Sequence, residues 1–293
     1  MASLKDVKVK ISGVKKTKQI TKAMNMVASA KLRGAQQRIE RFRPYAQKFF
    51  DMLSDLGGQS EDAAHPLLAA RDEVKTVGIV LATSDRGLCG SFNVNIITAA
   101  LKIAKSKAAE GKTVKFYCVG KKGRDAIRKS NYEINLALVG QMNSLDFQMA
   151  ASTGQQVMDD FLSGQLDEVL MVYGEFVSLA RQSPVTLPIL PIASTGGSGK
   201  DDAEGTVKEY IYEPAVEGLL AELLPRFIKV QVYRGLLDTS ASEHAARMTA
   251  MDNATKNCDD MTAALTLLYN KTRQAAITKD LMDIVGGVEA LKG

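Results

Sequence analysis

The sequence has no tryptophan, only two histidines and three cysteines, and aromatic residues make up 6% of it. Each scarcity excludes something. Cys89, Cys118 and Cys258 are odd in number and far apart. That pattern suits buried thiols in a reducing compartment rather than a disulfide framework. With His65 and His244 added, no spacing resembles a metal site. No apolar run approaches the roughly 18–20 residues that span a bilayer, and the first residues, Met1-Ala2-Ser3-Leu4-Lys5-Asp6, lack the apolar core of a secretory signal. A cytoplasmic bacterial chain, or an already processed one, is expected.

Acidic residues are scarce at the N-terminus. The first fifty residues carry Lys5, Lys8, Lys10, Lys15, Lys16, Lys18, Lys22, Lys31, Arg33, Arg38, Arg41, Arg43 and Lys48 against Asp6 and Glu40 alone. A block this basic faces either an acidic partner or water.

The same block reads as helix. Ala28, Leu32, Ala35, Ile39, Phe42, Ala46, Phe49, Leu53 and Leu56 follow one another in alternating steps of 4 and 3, the seam of a coiled coil. Ile20, Met24 and Val27 are expected to continue an apolar stripe on a slightly rotated face. Pro44 removes one backbone donor and predicts a kink. Gly57-Gly58 predicts the stop.

From Val74 the texture changes. Strands are predicted at 76–82, 114–119, 168–173, 185–192 and 207–212, with helices near 92–109, 121–130 and 145–163. Alternation of this kind implies an α/β layer with a largely parallel sheet. After Pro214 the chain turns helical to its end. Met248, Met251, Cys258, Met261, Leu265 and Leu268 are near-heptad, and Ile277, Leu281, Ile284, Val288 and Leu291 resume the pattern after a phase slip. Ser240 with Glu243 forms a capping-box pattern that would start a new helix. A continuous helix from about 217 to 290, roughly 110 Å long, is the preferred reading. Such a helix needs a partner for its seam, and the matching seam lies at the other end of the sequence. The expected fold class is therefore α plus α/β: a long antiparallel coiled coil of the terminal helices with an inserted Rossmann-like α/β domain. The corresponding segments are 1–58, 74–213 and 214–293.

Sites for chemistry are few. Gly197-Ser198-Gly199-Lys200 invites a phosphate-loop reading, but Ser194 stands where the first glycine belongs and Asp201 follows the lysine. Gly87-Leu88-Cys89-Gly90 follows a strand, and its glycines suit a tight turn better than a nucleophile. His65 and His244 have no acid or nucleophile partner in motif context. A nucleic-acid-binding helix is the rival class, with Arg33, Arg38 and Arg41 as its charged stripe. Against it, a base-reading helix has little use for a proline-interrupted seam with Phe42, Phe49 and Phe50. No cofactor is expected.

Four collinear segments carry a resemblance. They are Ile20-Thr21-Lys22-Ala23-Met24-Asn25-Met26-Val27-Ala28, then Ser84-Asp85-Arg86-Gly87-Leu88-Cys89-Gly90 with Asn93, then Ser242-Glu243-His244-Ala245-Ala246-Arg247-Met248-Thr249-Ala250-Met251. The fourth runs from Tyr269-Asn270-Lys271-Thr272-Arg273-Gln274 through Thr278 to Ile284-Val285-Gly286-Gly287. Together they resemble the gamma subunits of F-type ATP synthases, departing at Asp280 and Val288, where that family usually has Glu and Ala. The sequence has no close cysteine pair of the kind that forms the chloroplast redox switch. The resemblance implies a central-stalk rotor that couples ion flow through a membrane ring to ATP synthesis or hydrolysis, regulates both, and has no catalytic site of its own. It implies as partners a head of three alpha and three beta subunits, an epsilon-type subunit and the membrane carrier ring, with no nucleic acid and no nucleotide bound directly. It implies a peripheral place on the cytoplasmic face of the bacterial inner membrane. The residues it marks for contact with the head are Lys22, Met24, Glu243, Arg247, Arg273, Gln274, Thr278, Ile284 and Leu291. Met24 also reads simply as seam packing.

Overall fold

The computed structural model describes residues 3–57, 65–69, 71, 73–192 and 216–290. The glycine-rich segment 196–199 with Lys200, the predicted strand at 207–212 and Leu291 lie outside the described residues. The chain divides into two compact units, one formed by residues 1–29 with 247–293 and the other by residues 30–246.

The element order is α1 (Leu4–Gly57), β1 (Thr76–Ala82), α2 (Phe92–Ala109), β2 (Thr113–Val119), α3 (Lys121–Arg128), β3 (Glu133–Leu138), α4 (Phe147–Leu162), β4 (Glu168–Phe176), β5 (Gln182–Leu190) and α5 (Val216–Ala290). One turn of 3-10 helix at Met142–Ser144 precedes α4.

In the larger unit five strands form one sheet in the order β3-β2-β1-β4-β5. The β2–β1, β1–β4 and β3–β2 pairings are parallel, and β5 returns antiparallel to β4. The parallel strands are β-branched and apolar because helices cover both faces. One face (Ile79, Leu81, Phe116, Cys118, Val172) packs under Phe92, Ile96 and Ala100 of α2 and Ile127 of α3. The other (Val80, Val119, Met171, Tyr173) packs under Val157 and Phe161 of α4, Leu224 and Leu236 of α5, and Phe49 and Leu53 of α1. An aromatic chain helps join the helices on that side: Phe147 meets Tyr233 edge-on, Tyr233 meets Phe42, and Phe49 stacks with Phe227. β3 has no counterpart in the sequence reading. Its Glu133 and Asn135 interrupt the apolar run that marked the other strands, as suits a sheet edge.

Here most of the 4–3 positions of α1 are buried against the sheet layer and α5. Leu32, Ala35, Ala46, Phe49 and Leu53 are buried, with Ile39 and Phe42 partly so. The helix runs through Pro44 to Gly57. Likewise α5 passes without a break through Ser240, so the capping-box pattern starts no helix; Ser240 is buried mid-helix and its hydroxyl lacks a hydrogen-bond partner.

In the smaller unit the seam departs from expectation. Ile20 and Val27 are 60% and 57% exposed. The buried line instead runs through Val7, Thr21 and Ala28, with Ile11, Val14, Lys18 and Asn25 half-buried between them. Polar pairs explain the exchange. Thr21 and Thr255 share a hydroxyl hydrogen bond of 2.8 Å, Asn25 Nδ2 donates to the Met248 carbonyl at 2.8 Å, and Lys18 pairs with Asp259. The partners descend as the numbers in α1 ascend, so within this unit the helices run antiparallel. On α5 the same correction applies. Met261 and Leu268 face outward, while Cys258, Thr262, Leu265 and Tyr269 hold the more buried positions.

Candidate functional site: a helical contact surface

Among the residues that the smaller unit leaves outward are many large apolar side chains. On α1 these residues are Val9, Ile20, Met26 and Val27; on α5 they begin at Met261 and Leu267 and include Ile277, Leu281, Met282, Ile284, Val285 and Val288. At 100° per residue the last six fall within an arc about 160° wide, opposite Lys279, Asp280 and Asp283. A monomer seldom exposes a contiguous apolar surface on this scale without a partner for it.

In the larger unit the Ser84–Asn93 turn is built for rigidity. Asp85 gathers three backbone donors with its carboxylate: Lys121 N and Gly140 N at 2.9 Å and Met142 N at 3.1 Å. It thereby ties the chain following β1 to the start of α3 and to the loop after β3. Asn93 Oδ1 accepts from Ser84 N at 3.0 Å, and Asn93 Nδ2 donates to Ser84 Oγ at 2.7 Å and to Cys89 Sγ at 3.0 Å. Gly90 has φ +58, and Leu88 shares the left-handed conformation with its side chain exposed. The thiols are packing groups. All three cysteines are buried, and burial pushes the Cys118 thiol up to about 12. His65 caps its own turn, its Nδ1 accepting from Leu67 N at 3.2 Å.

In the same unit, α5 presents polar residues to the interior. Ser242 Oγ donates to the Gly174 carbonyl at 3.0 Å, and Thr239 Oγ1 donates back to the Gly235 carbonyl at 2.7 Å. Tyr117 donates to Asp160 inside the sheet layer, and burial together with that bond raises the phenol far above its ordinary value. Among the described residues no group of His, Cys, Asp or Glu side chains is arranged to hold a metal ion.

The ATP synthase family profile matches residues 3–291. The ATP synthase gamma chain of Nitratidesulfovibrio vulgaris (strain Hildenborough) is 75% identical over 294 residues, covering 100% of both chains. That of Lawsonia intracellularis is 55% identical over 292 residues, again covering 100% of both. The chain belongs to the ATP synthase gamma-chain family. Solved relatives share the fold. A chain of the Tetrahymena thermophila mitochondrial ATP synthase central stalk and c-ring is 26% identical with a TM-score of 0.60, over 80% of this chain and 99% of that one. One from the Euglena gracilis mitochondrial ATP synthase is 22% identical with a TM-score of 0.65, over 98% and 94%.

The positions that the gamma-chain resemblance marked are now placed. Lys22, Arg273, Gln274, Thr278 and Ile284 are exposed, and Met24 is half-buried. Glu243 and Arg247 are different: they are only 4% and 8% exposed, and both are engaged by other groups. The sequence reading passed over Asp85 and Asn93 as working side chains. Their signal was available, since polar residues flanking a glycine turn are the usual backbone-capping types. It also passed over Ile20 and Val27 as surface residues, because an apolar side chain on a helix carries no mark of whether its partner is its own chain or another. No helix among the described residues is long and apolar enough to cross a membrane.

Proposed function

We propose that this gamma chain is the turning central stalk of an ATP synthase, and that its terminal helices form a coiled coil whose apolar outer surface is a bearing within the catalytic head. The observation that carries the reading is the exposed arc from Ile277 to Val288. Apolar contacts are non-directional, so a surface of this kind can slide past successive neighbours without fixed partners to break. Charged and polar contacts fix orientation instead: Lys22, Arg273, Gln274 and Thr278 lie outward on the same pair of helices. A head that changes shape with bound nucleotide moves the stalk only if such contacts differ between angles. Alpha and beta subunits, an epsilon-type subunit and the membrane ring are the partners in this reading. The chain supplies torque transmission and regulation, not catalysis, and works peripherally at the cytoplasmic face of the bacterial membrane.

Ile284→Asp with Val285→Asp in the reconstituted complex is the test. Both side chains point outward, so thermal unfolding of the chain alone should be unchanged. ATP-driven ion pumping should fall, because two charges are forced into an apolar bearing. Full pumping at normal assembly would overturn the bearing.

A further inference from the structure

A cleft lies wholly within the larger unit. It measures about 270 Å³, and its walls bring together four charged side chains from three elements: Arg43 of α1, Glu175 of β4, and Arg234 and Asp238 of α5. All four belong to the larger unit. Both arginines are exposed at the rim, whereas Glu175 and Asp238 are half-buried. The Tyr173 phenol, two residues before Glu175 on β4, also faces this charge cluster.

We propose that this cleft is a proton-operated clamp joining α1, β4 and α5, closed on a protonated Asp238 and loosened when that carboxyl ionises.

The groups around Asp238 compete. Burial is the largest influence and holds its carboxyl protonated up to about 6; Glu175 pushes in the same direction, while Arg234 and Arg43 oppose both. A neutral carboxyl fits the half-buried wall without drawing water. An ionised one must be hydrated or paired. Arg234 and Arg43 offset only part of that cost, because burial remains the largest influence on the carboxyl. The sign follows from linkage. The folded-state value lies above the ordinary carboxyl value, so the native state holds the extra proton. The clamp's contribution is complete at pH below about 4 and is lost as pH rises through about 6.

The test is hydrogen exchange on the full-length chain between pH 5 and pH 7, corrected for intrinsic exchange chemistry. Protection of residues 39–50 of α1 and 234–242 of α5 should fall roughly five- to tenfold with a midpoint near pH 6, while α2 stays constant. Asp238→Asn should flatten the profile. Glu175→Gln removes a repelling charge and should move the midpoint to lower pH; Arg43→Gln removes an attracting one and should move it higher. Constant protection in the native chain overturns the clamp, as does an unchanged profile in Asp238→Asn. If Asp238→Asn fails to fold, the opposed shifts in Glu175→Gln and Arg43→Gln decide alone, and their absence overturns the proposal.

Discussion

Asp85 shows how much one side chain can organise. Three backbone donors, from the start of α3 and the loop after β3, converge on its carboxylate. Asp85→Ala orphans all three. With partial rehydration the loss should be about 2–4 kcal/mol in urea unfolding. Asp85→Asn keeps one acceptor oxygen and should lose less. Two glycines are closed to a Cβ by neighbours of different stiffness. A Cβ built on Gly174 would sit 2.5 Å from Phe92 Cε2, a ring atom packed between α2 and the sheet. A Cβ on Gly235 would meet the flexible end of Met171, at 2.6 Å from Cε. Gly174→Ala should therefore cost about 1–3 kcal/mol. Gly235→Ala should stay near neutral, because improved helix propensity of about 1 kcal/mol offsets the repacking.

Among the elements, α1 and α5 separate what periodicity reveals from what it hides. From Ala28 to Leu53 the apolar 4–3 pattern and the buried face coincide, because there the helix packs on an apolar sheet and on aromatic residues of α5. From Leu4 to Val27 the packing face includes Lys18, Thr21 and Asn25, while Ile20, Met26 and Val27 turn outward. The partner helix answers those polar groups with Asp259, Thr255 and the Met248 carbonyl. Hydrophobicity alone could not rank that face first. β3 escaped for a related reason, being an edge strand with polar positions. The parallel strands β1, β2 and β4 were legible because burial on both faces demands continuous apolar runs. Of the candidate contact residues the motifs gave the positions but not their exposure, which separates Lys22, Arg273 and Ile284 from the buried Glu243 and Arg247. One consequence is measurable. Met261→Gln and Leu268→Gln should each change the stability of the chain by less than about 0.5 kcal/mol. Leu265→Gln, on the packed face, should cost clearly more in the same thermal unfolding experiment.

For the whole molecule, the reading as a rotating stalk requires contacts that form and release. Met24→Lys adds an ammonium near Lys22 at the half-buried margin of α1. If the head carries an acidic group there, a pair worth about 1–3 kcal/mol would hold one angle. Ion pumping should then fall more than ATP hydrolysis in the reconstituted complex. An equal fall of both would make Met24 seam packing. Titration of the isolated chain with ATP by calorimetry should show no micromolar binding, and stoichiometric binding competed by ADP would refute that expectation. The threonines of α5 have a consequence of a different kind. Thr255, Thr262, Thr266, Thr272 and Thr278 each donate a hydroxyl back to the carbonyl four residues earlier, at 2.7 to 3.0 Å. A carbonyl shared in this way holds its own amide partner less firmly, and helices bend at such places. Spaced along one helix, they should make α5 between Met251 and Thr278 easier to bend than its unbroken length suggests.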